Sequence, residues 1–216
     1  PRESRPRWAR ALVTTASIAI FVLLPAVALY DVFNSIARGR VTPDFSLTYY
    51  PAAERLLDGD ALYPSGELVE RSGFVIEYLY PPLTAWVMTP FTVLDVDAAE
   101  LVFASLLIVA FAATLFLLGV RDWRCYGLAF LWPPVLDAIQ TGNVTILLGL
   151  LAALVWRFRD RTVASGAALG VSFAVKILLW PLALWLAATG RVRAAAVSLA
   201  VAVAALAVSW GAIGFE

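Results

Sequence analysis

The sequence has no histidine, a single cysteine and a single lysine in 216 residues, and its formal net charge is zero. Without histidine there is no imidazole acid, base or metal ligand. The lone Cys125 cannot close an internal disulfide and says nothing about compartment. Alternating apolar and polar residues are also missing. Runs such as VTTASIAIFVLLPAVALY are continuously apolar, which excludes a β-barrel. No internal repeat, low-complexity tract or soluble domain is visible.

Apolar side chains dominate instead. Hydrophobic residues make up 62% of the chain and the mean hydropathy is +0.83. A water-soluble core cannot hide that much apolar surface, so lipid is the solvent for most of it. The fold class is therefore an all-α polytopic membrane protein. Apolar segments are read at 11–31, 98–120, 124–137, 143–157, 162–175, 177–189 and 193–213, a bundle of about seven helices. The run at 11–31 is too long for the core of a signal peptide and no cleavage site follows it, so it reads as a retained helix. Residues 1–216 read as one transmembrane domain. The chain begins at Pro1 and ends directly after an apolar run, and is expected to be part of a longer protein.

An eighth stretch, PPLTAWVMTPFTVL (81–94), contains three prolines and rises only about 21 Å as a helix, short of a bilayer core of roughly 30 Å. If it lies in the outer interface, the short loops sort by charge. The N-terminus, RDWR (121–124), RFRDR (157–161) and GRVR (190–193) then share the cytoplasmic side, with eleven arginines against Glu3, Asp122 and Asp160. The chain is thus expected to sit in the cell membrane with its N-terminus cytoplasmic. Residues 162–189 read as two short passes turning near Lys176, although one helix kinked at Pro181 is the alternative. Residues 31–97 form an outer loop with juxtamembrane helices. Within it, YYPAAERLLDGDALY reads as an amphipathic helix on the membrane surface, ended by Gly59.

With that topology several polar features meet at the outer face, where polar groups at membrane depth commonly mark a site. Asp44 lies between Pro43 and Phe45 near apolar surface. It is a carboxylate base strengthened by desolvation, the cap of a helix starting near Ser46, or simply a solvated acid. Lys176 in SFAVKILLW either meets an anionic phosphate or snorkels to a headgroup. Gln140 and Asn143 in DAIQTGN suit sugar hydroxyls, and they suit helix caps equally. The aspartates of DGD (58–60) and DVD (95–97) read as turn and cap residues rather than a metal motif, and SGAALG (165–170) as close helix packing.

The order of these motifs carries a resemblance. An aspartate after the first helix, YYPAAERLLDGDALYP, YPPL, QTGNVTILLGLL and the lysine of AVKILLWPLALWL together resemble glycosyltransferase family 87 of the GT-C superfamily, over about residues 11–195. The resemblance implies a GT-C-like bundle, with this chain its N-terminal half. It also implies an extracytoplasmic active site that takes mannose or a pentose from a polyprenyl-phosphate sugar donor to a lipid or glycan acceptor. Asp44 would be the base. Lys176 would stabilise the leaving phosphate, and Gln140, Asn143, Tyr80 and Tyr49 would bind the sugar or phosphate. Inversion at the anomeric carbon, no metal, no cofactor and no nucleic-acid partner are expected. A transporter of lipid-linked sugars and a non-catalytic membrane subunit are the competing readings.

Overall fold

In the computed structural model of the chain, which describes residues 6–39, 42–63 and 78–214, every regular element is helical. Lipid offers peptide groups no hydrogen-bond partner, so segments inside it must satisfy their own backbone as helices. The order is α1 (Arg7–Ala37), α2 (Tyr50–Asp58), α3 (Pro82–Met88), α4 (Val96–Leu117) and α5 (Trp123–Phe130). Then follow α6 (Pro133–Thr141), α7 (Thr145–Arg157), α8 (Thr162–Val175), α9 (Trp180–Ala188) and α10 (Val192–Gly211). Among the described residues, α1, α4 and α10 are long and apolar enough to cross a bilayer singly.

Prolines explain where the helices depart from the sequence reading. Pro25 has no N–H to offer the Phe21 carbonyl one turn back, and α1 widens into a π turn over Ala19–Leu23 just before it. Gly127 of α5 packs on that stretch so closely that a β-carbon would overlap the Phe21 carbonyl. The segment 124–137, expected as one helix, is two. Trp132 precedes Pro133, and its backbone is extended at φ −70°, ψ 120°, as the residue before a proline prefers. α6 and α7 then meet at 118° around Gly142.

The surface helix expected at 50–58 is present as α2, ending at Gly59 in the left-handed region (φ 76°). Its apolar face does not lie on lipid alone: Ala52 and Ala53 are fully buried against the protein. Tyr50 donates from its hydroxyl to the Leu94 carbonyl at 2.8 Å, fixing α2 across the short turn Thr89–Val93 that follows α3. Asp95 caps α4 by accepting from the Ala98 N–H at 2.9 Å. SGAALG is a packing surface. A β-carbon on Gly166 would lie 2.7 Å from Val197 Cβ, and one on Gly170 2.6 Å from the Ser198 carbonyl, both on α10.

Two contacts decide how 162–189 runs. The Asp160 carboxylate accepts from Arg191 Nη2 at 2.7 Å and from Nε at 3.1 Å, so the loops at either end of α8–α9 share one end of the bundle. Arg191 holds the Asp160 carboxyl below its usual range. The turn at Lys176 lies one helix length away, about 21 Å along α8. Thr84 of α3 donates to the Val175 carbonyl at 3.4 Å beside that turn. Since Leu94, at the far side of 81–94, contacts Tyr50 of the same region, both ends of this segment lie at the Lys176 end. It runs across the end of the bundle and does not pass through it.

Candidate functional site

Residues 42–50 form a plug between the bundle helices. Phe45 is fully buried, stacked on Phe103 of α4 at 4.7 Å between ring centres and edge-on to Phe91 at 5.7 Å. Burying such a ring is worth about 1.5–3 kcal/mol. Gly142 meets the plug from the other side. Its φ of +71° ends α6, and a β-carbon there would lie 2.6 Å from Phe45 Cβ. Only glycine suits both the backbone conformation and the space.

That approach brings Asp44 to Asn143. The Asn143 side chain donates from Nδ2 to Asp44 Oδ2 at 2.6 Å, while its Oδ1 accepts from the Thr145 N–H at 2.8 Å. One amide therefore caps the start of α7 and orients the carboxylate. Of the alternatives left open for Asn143, the helix cap is present, and the same side chain also binds Asp44. For Asp44 the capping alternative does not hold, since its side chain makes no capping bond to the turn Phe45–Tyr49.

A second group of side chains lies within reach of the Asp44 charge. Tyr49 is fully buried, and its hydroxyl completes no hydrogen bond, although it lies close to Tyr80 and to the Val144 backbone. Burial, then Tyr80, then the Asp44 charge push its ionisation far above the ordinary phenol range, so the proton stays on. The Tyr49 and Tyr80 rings meet edge-on at 5.0 Å. Lys176 Nζ stands 5.3 Å from the centre of the Tyr80 ring. The Lys176 backbone is extended (φ −162°, ψ 125°) where α8 stops, which turns the side chain back toward α3.

Lys176 is half-buried rather than enclosed, and no described carboxylate lies within ion-pair distance of it. A cation on an aromatic face gains about 0.5–1 kcal/mol, too little to replace a counter-anion. Beside it opens a cleft of about 530 Å³ with Leu79, Pro81, Phe173 and Leu206 in its walls. A cation at the rim of an apolar cleft can hold an anionic head whose tail lies in lipid.

Of the six residues singled out in the sequence, five fall into two groups, Asn143 with Asp44 and Tyr49 with Tyr80 and Lys176, and the Asp44 charge reaches Tyr49 between them. Gln140 joins neither: half-buried one turn before Asn143, it makes no side-chain hydrogen bond to a described residue. Asp58 and Asp60 flank Gly59 in the turn closed by the Asp60 N–H to the Arg55 carbonyl at 2.9 Å. The sequence reading passed over Glu100 and Thr42. Glu100 is a 6%-exposed acid inside the apolar run of α4, and its Oε1 accepts from Thr42 Oγ1 at 2.7 Å and from the Thr42 N–H at 3.3 Å. An acid within a membrane-depth run was the signal for it.

A sequence profile described as "Glycosyltransferase family 87" matches residues 78–216, a stretch that takes in Tyr80, Gln140, Asn143 and Lys176. The chain is 27% identical over 201 residues to an alpha-(1->3)-arabinofuranosyltransferase of Mycolicibacterium smegmatis, covering 85% of this chain and 44% of that protein. It thus spans less than half the length of this curated relative. No solved structure matches it.

Proposed function

The chain belongs to glycosyltransferase family 87, and from there we propose that it forms the catalytic end of a membrane glycosyltransferase. In this reading the enzyme moves a sugar, mannose or a pentose such as arabinofuranose, from a polyprenyl-phosphate donor to an envelope lipid or glycan. The arabinofuranosyltransferase named above lends weight to a pentose. The observation that supports the proposal is the pairing of Asn143 with Asp44 and of Tyr49 with Tyr80 and Lys176, a carboxylate whose charge reaches Tyr49 and a cation with no carboxylate partner among the described residues.

The chemistry runs as a single displacement. Asn143 holds Asp44 Oδ2, and the other oxygen takes the proton of the acceptor hydroxyl as its oxygen attacks the anomeric carbon. The bond from that carbon to the phosphate oxygen breaks with its electron pair, and the polyprenyl phosphate leaves with one more negative charge. Lys176 meets that charge where it develops. Tyr49, kept protonated but fully buried, would donate its hydroxyl to the sugar or phosphate once bound substrate opens access to it. Attack opposite to departure inverts the anomeric carbon. The arginine-rich loops at the far end face the cytoplasm, so the reaction takes place at the extracytoplasmic face.

The test is transfer of radiolabelled sugar from a polyprenyl-phosphate donor by the full-length natural protein in membranes. Asp44→Asn should remove transfer while donor binding persists, and Lys176→Ala should chiefly raise the donor KM. Full activity in Asp44→Asn would end the base assignment. Donor carried across vesicles without any transfer would favour a transporter.

A further inference from the structure

Asp44 is held by Asn143 through one carboxylate oxygen, but a single hydrogen bond does not fix the backbone from which that side chain projects. A second tether reaches it from α4. Glu100 Oε1 accepts from both Thr42 Oγ1 and the Thr42 N–H. The Thr42 carbonyl in turn accepts from the Ser46 N–H at 2.8 Å and from Ser46 Oγ at 2.9 Å. Thr48 Oγ1 donates back to the Pro43 carbonyl at 3.3 Å. Asp44 thus sits inside a hydrogen-bonded turn whose first residue is bolted to a helix that begins at its own Asp95 cap. Thr42 is 1% exposed and Glu100 6%, so water does not compete for these bonds.

Placing a carboxyl group in that position is costly unless it is satisfied. A leucine at residue 100 would pack the same wall with no such cost. The carboxyl is spent on one backbone N–H and one hydroxyl, both two residues from Asp44.

We propose that Glu100 is a positioning residue for Asp44, acting through Thr42, and that it governs the turnover step rather than donor binding. This rests on the reading of Asp44 as the base. Donor affinity belongs to Lys176 and Tyr80, in the second group of side chains. Loosening Thr42 should therefore misplace the base while leaving the donor cleft intact.

The experiment uses the full-length protein, with Thr42→Val, Glu100→Gln, Glu100→Leu and Asp44→Asn compared under the labelled-sugar assay. Thr42→Val keeps the shape of the side chain and removes its hydroxyl. Glu100→Gln keeps an oxygen that accepts both bonds. The expected result is a fall in kcat of about ten-fold or more in Thr42→Val and Glu100→Leu, an unchanged donor KM, and near-complete rescue in Glu100→Gln. Hydrogen exchange of the amides at 42–48, which needs no activity, should quicken in Thr42→Val and Glu100→Leu and stay slow in Glu100→Gln. If Asp44→Asn is inactive while Thr42→Val turns over at the wild-type rate, the inference fails and the base assignment stands. If Asp44→Asn is active, the base assignment fails, and the exchange data then decide the tether alone: unchanged exchange in Thr42→Val overturns it.

Discussion

Replacing Asn143 separates two hydrogen bonds that one side chain makes in opposite directions. Its Oδ1 caps α7 through the Thr145 N–H, and its Nδ2 holds Asp44. A cap of this kind contributes about 1 kcal/mol, and a hydrogen bond to a charged acceptor about 1.5–3 kcal/mol. Asn143→Ala loses both. Asn143→Ser keeps an oxygen that caps well but is too short and lacks the amide to reach Asp44. Serine and alanine should therefore differ by about 1 kcal/mol in stability, read by SDS titration in mixed micelles. In sugar transfer they should fall together, by roughly 10- to 150-fold if the Asp44 bond is fully expressed in the transition state. Asn143→Asp retains the cap and sets a second carboxylate against the first. Like charges at that distance repel, so transfer in this variant should fall at least as far as in Asn143→Ser. Wild-type turnover in Asn143→Ser would refute the orienting role. A much lower rate in alanine than in serine would show that the loss travels through α7 instead of Asp44.

Three further outcomes follow from the packing and the charges. Gly170→Ala should destabilise by about 1–3 kcal/mol because α10 must shift, whereas Gly149→Ala, with nothing within 4 Å of the new carbon, should stabilise by roughly 0.5–1 kcal/mol; the same SDS titration reads both. Tyr49→Phe deletes a buried hydroxyl that completes no hydrogen bond, so stability should hold or rise while transfer falls. The alkaline limb of the rate profile should stay in place, because Tyr49 keeps its proton through that range. Arg191 lowers the Asp160 carboxyl below its ordinary value of 3.8, so whatever this exposed pair contributes is complete above that pH and is lost as the pH falls below it. Thermal unfolding of Asp160→Asn against wild type from pH 3 to 6 should show the two curves converging at the acid end, and a constant gap would refute the linkage.

Much of this arrangement is legible in the sequence because membrane burial leaves so few polar residues to consider. Asp44, Asn143, Lys176 and Tyr80 stand out as polar or amphipathic side chains beside apolar runs, and the proline-poor runs at 98–120 and 193–213 appear as α4 and α10. The prolines were harder to weigh. Pro133 and Pro134 split a run that counts as one segment by hydropathy, since a window average does not register a missing N–H. α2 shows a different limit. Its amphipathic pattern fixes which face is apolar but not whether lipid or protein covers it. Gln140 and Asn143 are chemically alike and one turn apart, yet only Asn143 reaches Asp44. That choice depends on the left-handed turn at Gly142, which no periodicity reveals. Glu100 escaped because a single acid near the start of a helix looks like a solvated end, and its burial comes from a plug 58 residues earlier in the chain.

The bond between Asp44 and Asn143 joins residues 99 positions apart. A ribosome adding about 5–20 residues per second needs roughly 5–20 s to make the intervening chain. Throughout that interval α1 and the 42–50 turn can already be made, with the carboxylate still lacking its amide. The Val175 carbonyl that holds α3 arrives later still. On this ordering the Asp44 site stays incomplete while the chain is being threaded into the membrane, and its amide partner arrives only when the α6–α7 corner docks.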